Sequence, residues 1–216
     1  MNESEKLSNE LKDIKQIMER SSRFISLSGL SGISAGICAL IGAWLSGIVI
    51  ERNKRAVHNL KRSIADTDSI MYGDFIHSHL FQIAIITFFA SAFFAFLFTY
   101  RRSKKTNTPI WGITARRLTI NVVVPMIAGG IFLFALIRDG VYGFIAPGCL
   151  IFYGLGVLNA SKYTLPETRY LGYGEIIIGL INLFFMGQGL YFWAAGFGAL
   201  HIFYGAFMWS KYEMKS

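Results

Sequence analysis

Charge is scarce in this chain: only 16% of its 216 residues are Asp, Glu, Lys or Arg, and it holds two Cys and four Pro. A soluble domain carries about a quarter charged residues, so there is too little charge here to cover a water-facing surface. Two cysteines exclude a disulfide scaffold, and few prolines among long apolar runs exclude disordered and collagen-like chains. There is no Walker A run, no Gly-x-Ser-x-Gly elbow, no His-Glu-x-x-His and no pair of carboxylates at helical spacing within an apolar run. No catalytic residue, cofactor or metal is therefore expected, and the chain reads as a non-enzyme. Asp74, His77 and His79 stand close in sequence, but such a trio in a loop more often binds nothing.

What is present is apolar: 53% hydrophobic residues and 15% aromatics, with a mean hydropathy of +0.45. Six stretches meet, allowing for tilt, the roughly 20 apolar residues that a helix needs to cross a bilayer. They are Phe24–Ile50, His79–Tyr100, Thr119–Ile137, Val141–Ala160, Leu171–Gly187 and Leu190–Trp209. They are apolar all round, and none alternates with the period of a barrel strand. The expected fold is all-α, a polytopic membrane bundle of six transmembrane helices. Residues 1–23 precede it as an amphipathic helix, and Leu7, Leu11, Ile14, Met18 and Ser21 lie along one stripe that continues to Ile25. The membrane domain runs over 24–216, and 51–78 forms a long loop.

Lys and Arg set the orientation. Fifteen lie with the N-terminal segment, the second and fourth loops and the tail, against six on the other side. This places both termini in the cytoplasm, and the protein in the cell (inner) membrane. The net charge of +8 flanks the spans, so it implies anionic lipid headgroups rather than nucleic acid. The first apolar run follows 23 polar residues and is too long for a signal peptide. Cys38 and Cys149 lie inside spans and are expected to be buried, inert thiols.

Shifting the chain by 49 residues lays one hairpin on the next. Ile127 meets Ile176, Gly130 meets Gly179, Tyr142 meets Tyr191, and Gly156 meets Gly205. Ser161-Lys162-Tyr163 then lands on Ser210-Lys211-Tyr212. The first hairpin ends similarly in Ser103-Lys104-Lys105, so three tandem hairpins are expected, at 24–100, 119–160 and 171–209. With its Gly-apolar rhythm at the start of each hairpin and a Gly near the end (Gly130 and Gly156, Gly179 and Gly205), the pattern resembles the HdeD-like membrane proteins. That resemblance implies tandem two-helix units and a link to acid resistance, and covers neither the N-terminal helix nor the 51–78 loop.

In a bilayer, helices associate through close backbone approach. Ser28, Gly32 and Gly36 form one small-residue row of the first span, and Ser31, Ala35, Ala39, Ala43 and Gly47 another. Gly32, Gly36, Gly179, Gly198 and Gly205 are the expected packing positions, within the chain or, less favoured, in a homo-oligomer. Glu175 is the acidic residue deep in a span and His201 the histidine there. Asn182 shares the face of Glu175, and Glu175 and His201 would sit roughly 10 and 12 Å from the cytoplasmic membrane edge. Met126 and Phe152 hold the corresponding places in the sister hairpin. The two polar residues therefore occur together or not at all, which marks a pair. Histidine titrates near neutrality, so Glu175, His201 and Asn182 are the candidate proton or ligand site, with a structural polar lock as the bland alternative. The rival function is a membrane scaffold or sensor subunit that docks a cytosolic partner through its N-terminal helix.

Overall fold

The computed structural model describes residues 28–61, 78–106 and 110–214, and among these it is all-helical. The expected N-terminal helix over 1–23 and most of the loop lie outside the described residues. Helix α1 covers Gly29–Lys61, α2 His79–Thr106, α3 Ile113–Arg138, α4 Ile145–Ala160 and α5 Thr168–Asn182. Helix α6, Gly189–Tyr212, has α-helical ends and a π-helical middle, Ala194–Leu200. Gly140, at φ +73, turns the chain between α3 and α4.

Five stretches are long and apolar enough to cross a membrane: Gly29–Arg55, His79–Thr106, Ile113–Arg138, Tyr142–Tyr163 and Gly189–Tyr212. Their outward faces carry exposed large apolar side chains, such as Ile86, Phe93 and Phe96 on α2 and Val124 and Ile131 on α3. Apolar surface on this scale is compatible with an integral membrane protein.

The fifth predicted span departs from expectation. Helix α5 has 15 residues, about 22 Å at the helical rise, short of the roughly 30 Å hydrocarbon core. The expected span ran to Gly187, but the helix stops at Asn182. There the backbone tightens into three-residue closures, Leu183 N–H to the Leu180 carbonyl, Phe184 to Ile181 and Phe185 to Asn182. Gly187, at φ +86, then reverses the chain; a residue with a Cβ would be strained there.

Helix α4 packs between α3 and α5, and α1 between α2 and α6. Helices α5 and α6, expected as a hairpin, meet chiefly along the π segment; the main partner of α5 is α4 and that of α6 is α1. Glycines govern both crossings. A Cβ on Gly205 would lie 2.5 Å from the Ile33 nitrogen, and one on Gly36 2.6 Å from the Gly198 carbonyl oxygen. Gly154 and Gly172 meet in the same way between α4 and α5.

A polar clasp ties helix ends together at one end of the bundle. The Glu213 carboxylate, just past α6, accepts hydrogen bonds from the Ser28 hydroxyl, the Gly29 backbone N–H and Arg102 Nη1 (2.8 Å). It thereby satisfies an N–H that the first turn of α1 leaves without a helical partner. Nearby in sequence, Lys211 and the Tyr212 hydroxyl both donate to Glu167, at the start of α5.

Candidate functional site

Helix α5 carries Thr168, Glu175 and Asn182 at seven-residue intervals, which is two helical turns, and all three are buried. Leu171, Gly172 and Gly179 are buried alongside them, and the Gly residues allow α4 to approach. A Cβ on Gly179 would lie 2.7 Å from Ile151. The result is a column of buried polar side chains down the face of α5 that meets α4 and the π segment.

Glu175 is 0% exposed. Its Oε1 lies 3.1 Å from His201 Nδ1, yet neither carboxylate oxygen accepts a hydrogen bond among the described residues. The two facts agree once the ring is considered. Nδ1 also lies 3.1 Å from the Gly196 carbonyl oxygen, in hydrogen-bonding geometry, so Oε1 is near the imidazole but off the N–H axis. It is a close polar contact, and an ion pair only when His201 is protonated. Such a carboxylate is costly, because an acidic residue at mid-helix costs about 2.5–3.5 kcal/mol on insertion scales.

The π segment makes this arrangement possible. It ends at Leu200, immediately before His201, and it sets the Gly196 carbonyl, five residues back, against the ring. Single-turn π-helical insertions recur at functional sites. Gly196 also admits the carboxylate, since a Cβ there would lie 2.7 Å from Glu175 Oε2.

On the other edge of the ring, Nε2 lies 2.8 Å from the Tyr153 hydroxyl of α4. Both neighbours of Nδ1, a carbonyl and a carboxylate, are acceptors, so Nδ1 carries the proton. Two states then fit the geometry. Neutral His201 accepts from the Tyr153 hydroxyl at Nε2; the imidazolium donates to it instead. Protonation thus reverses the direction of one hydrogen bond without moving a heavy atom. Phe197 packs edge-on against Tyr153 and tilted against His201, with ring centroids 5.2 and 6.1 Å away. One turn further along α6, Tyr204 shares a 2.8 Å hydrogen bond with Thr168.

The structure therefore brings Glu175 and His201 together. Asn182 lies on the same face two turns away, with its Nδ2 also without a partner among the described residues. Gly32, Gly36, Gly198 and Gly205 lie at the α1–α6 crossing, and Gly179 lies against α4. Sequence reasoning missed Tyr153 and Tyr204. Tyr153 adjoins Phe152, the counterpart of His201 in the 49-residue shift, and Phe152 packs against Gly129 and Phe132 of α3. That adjacency was the available signal. Cys38 and Cys149 are free and half-buried. No cluster of three metal-ligating side chains occurs among the described residues; Asp74 and His77 lie outside them.

No family model, no curated protein and no solved structure matches the chain.

Proposed function

We propose that this chain is a six-pass integral membrane protein whose Glu175–His201 pair binds and releases a proton, making it pH-responsive or proton-linked rather than enzymatic. On this reading α5 completes the count as a short pass, with the turn at Leu183–Gln188 recessed from the far membrane surface. The predicted repeat and the HdeD-like resemblance belong to the same proposal and rest on the Gly-rich rhythm of the sequence. The excess of Lys and Arg at the end that holds Arg102, Lys211 and Glu213 supports a cytoplasmic location for that end, and an inner-membrane location for the protein.

One observation carries the proposal: a wholly buried carboxylate lies 3.1 Å from an imidazole whose other nitrogen meets a tyrosine hydroxyl, with no other polar partner for the carboxylate among the described residues. Each orphaned polar group costs about 1–3 kcal/mol, so burying this carboxylate opposes stability rather than adding to it. Uptake of one proton changes the charge of the Glu175–His201 pair by one unit, an effect that a low-dielectric site amplifies. Thr168 and Tyr204 provide hydroxyls between this pair and Glu167 at the bundle end, the direction from which we expect the proton to arrive.

Proton uptake by proteoliposomes tests the reading. Stepped from alkaline to acidic pH, the wild-type protein should take up a proton that Glu175→Gln and His201→Phe do not, with both variants retaining their helical content. Equal uptake by all three proteins would overturn it.

A further inference from the structure

Above the glycine crossing, α1 and α6 part. Gly29, Gly32 and Gly36 hold α1 against α6 at Gly198 and Gly205, but beyond Leu40 the small residues Ala43 and Gly47 of α1 and Ala194 of α6 leave space between the helices. A groove of about 590 Å³ opens there, walled by Leu40, Ala43, Trp44 and Gly47 of α1 and by Leu190 and Ala194 of α6. Its head carries Glu51, Arg52 and Arg55. From Leu40 to Arg52 the helical rise covers about 18 Å, close to the roughly 15 Å depth of one leaflet. The groove is thus apolar along one leaflet and charged at headgroup level.

The charges point to one kind of occupant. Arg55 contacts Glu51 at 3.2 Å, with side chains 76% and 55% exposed, an ion pair that water screens heavily. Arg52 is exposed and has no ion pair or hydrogen bond among the described residues. The three side chains together carry one net positive charge. A zwitterionic headgroup offers a phosphate but brings its own cation, whereas an anionic headgroup complements the excess.

We propose that this groove is a binding site for an anionic phospholipid, with an acyl chain between α1 and α6 and the phosphate held by Arg52 and Arg55. The proposal rests on the bilayer reading above and is independent of the Glu175–His201 site.

Trp44 lines the groove and is 67% exposed, so it reports the occupant. A variant retaining Trp44 alone (Trp111, Trp193 and Trp209→Phe) is reconstituted with brominated phosphatidylglycerol or brominated phosphatidylcholine diluted in unbrominated lipid. Annular lipid quenches regardless of headgroup, so the ratio between the two lipids reads selectivity. One basic residue near a membrane surface corresponds to about a five-fold preference. Phosphatidylglycerol should therefore quench with about five-fold higher apparent affinity, falling to near parity in Arg52→Gln and at high salt. Gly47→Leu should also abolish the preference. A Cβ there would sit 3.6 Å from Leu190, an ordinary contact, so the added side chain fills the groove with the fold kept. Equal quenching by both lipids overturns the proposal, as does a preference that survives Arg52→Gln, or a Trp44 shielded from both lipids by a second copy of the chain. Protein that fails to float with the vesicles overturns the bilayer reading and this proposal together. Equal quenching in protein that floats overturns this proposal alone.

Discussion

His201 Nε2 and the Tyr153 hydroxyl lie 2.8 Å apart, joining α6 to α4 across the face of α5. The contact fixes the imidazole from the side opposite Glu175, so the ring is held between a phenol and a carboxylate. Removing the phenol oxygen leaves a buried ring nitrogen without its partner. Tyr153→Phe should cost about 1–3 kcal/mol of stability, read as a lowered Tm in detergent. An unchanged Tm would mean that the hydroxyl does not satisfy Nε2.

The clasp at Glu213 is expected to behave as a unit. Its carboxylate accepts from Arg102, Ser28 and the first N–H of α1, and the Arg102 and Glu213 side chains are only 10% and 16% exposed. Glu213→Ala and Arg102→Ala should each destabilise, and the double variant should fall short of their sum by about 0.5–3 kcal/mol. Strict additivity in a double-mutant cycle would contradict the contact.

Two glycines of similar appearance should respond in opposite ways. A Cβ on Gly205 meets the backbone of α1 at 2.5 and 2.6 Å, while one on Gly130 meets nothing within 4 Å. Gly205→Ala should therefore push α1 from α6 and destabilise by about 1–3 kcal/mol. Gly130→Ala should stabilise by about 0.5–1 kcal/mol through helix propensity. Thermal unfolding of the two variants side by side decides it.

Glu167 predicts an acid limb. Burial alone would push its carboxyl up, but hydrogen bonds from Lys211, its own backbone N–H and Tyr212, with the Lys211 charge, outweigh this and hold it below the ordinary glutamate value. A folded-state value below the unfolded one stabilises fully above the unfolded value, about 4.3. That contribution is lost as pH falls through the lower folded value. Stability measured against pH should decline in this acid window, and less so in Glu167→Gln. Parallel curves for the two proteins would contradict the assignment.

Hydropathy made the helices legible because a bilayer-length apolar run has few other uses. It failed at Leu183–Met186, where Leu, Phe, Phe and Met continue the apolar run through a turn, and Phe184 is 84% exposed. An apolar turn and an apolar helix look alike to a composition window. Glu175 and His201 were legible because ionisable residues are rare in such runs. Tyr153 was not, since a tyrosine in a span also fits an interfacial anchor and its contact crosses from a helix outside the predicted hairpin. The π segment left no trace either: Ala194–Leu200 is as apolar as the helices that flank it, and the segment lies against α1 and α5, which no local pattern reveals. The Glu213 clasp joins residues about 185 apart, beyond the reach of any local pattern.

Infrared difference spectroscopy of the protein in liposomes, stepped from alkaline to acidic pH, tests the proton site most directly. The account predicts that acidification produces the C=O stretch of a protonated carboxyl in a dry environment, together with imidazole bands. The carboxyl band should be missing in Glu175→Gln, and its pH midpoint should move in His201→Phe and Tyr153→Phe. A wild-type spectrum indistinguishable from that of Glu175→Gln across the whole range would contradict it.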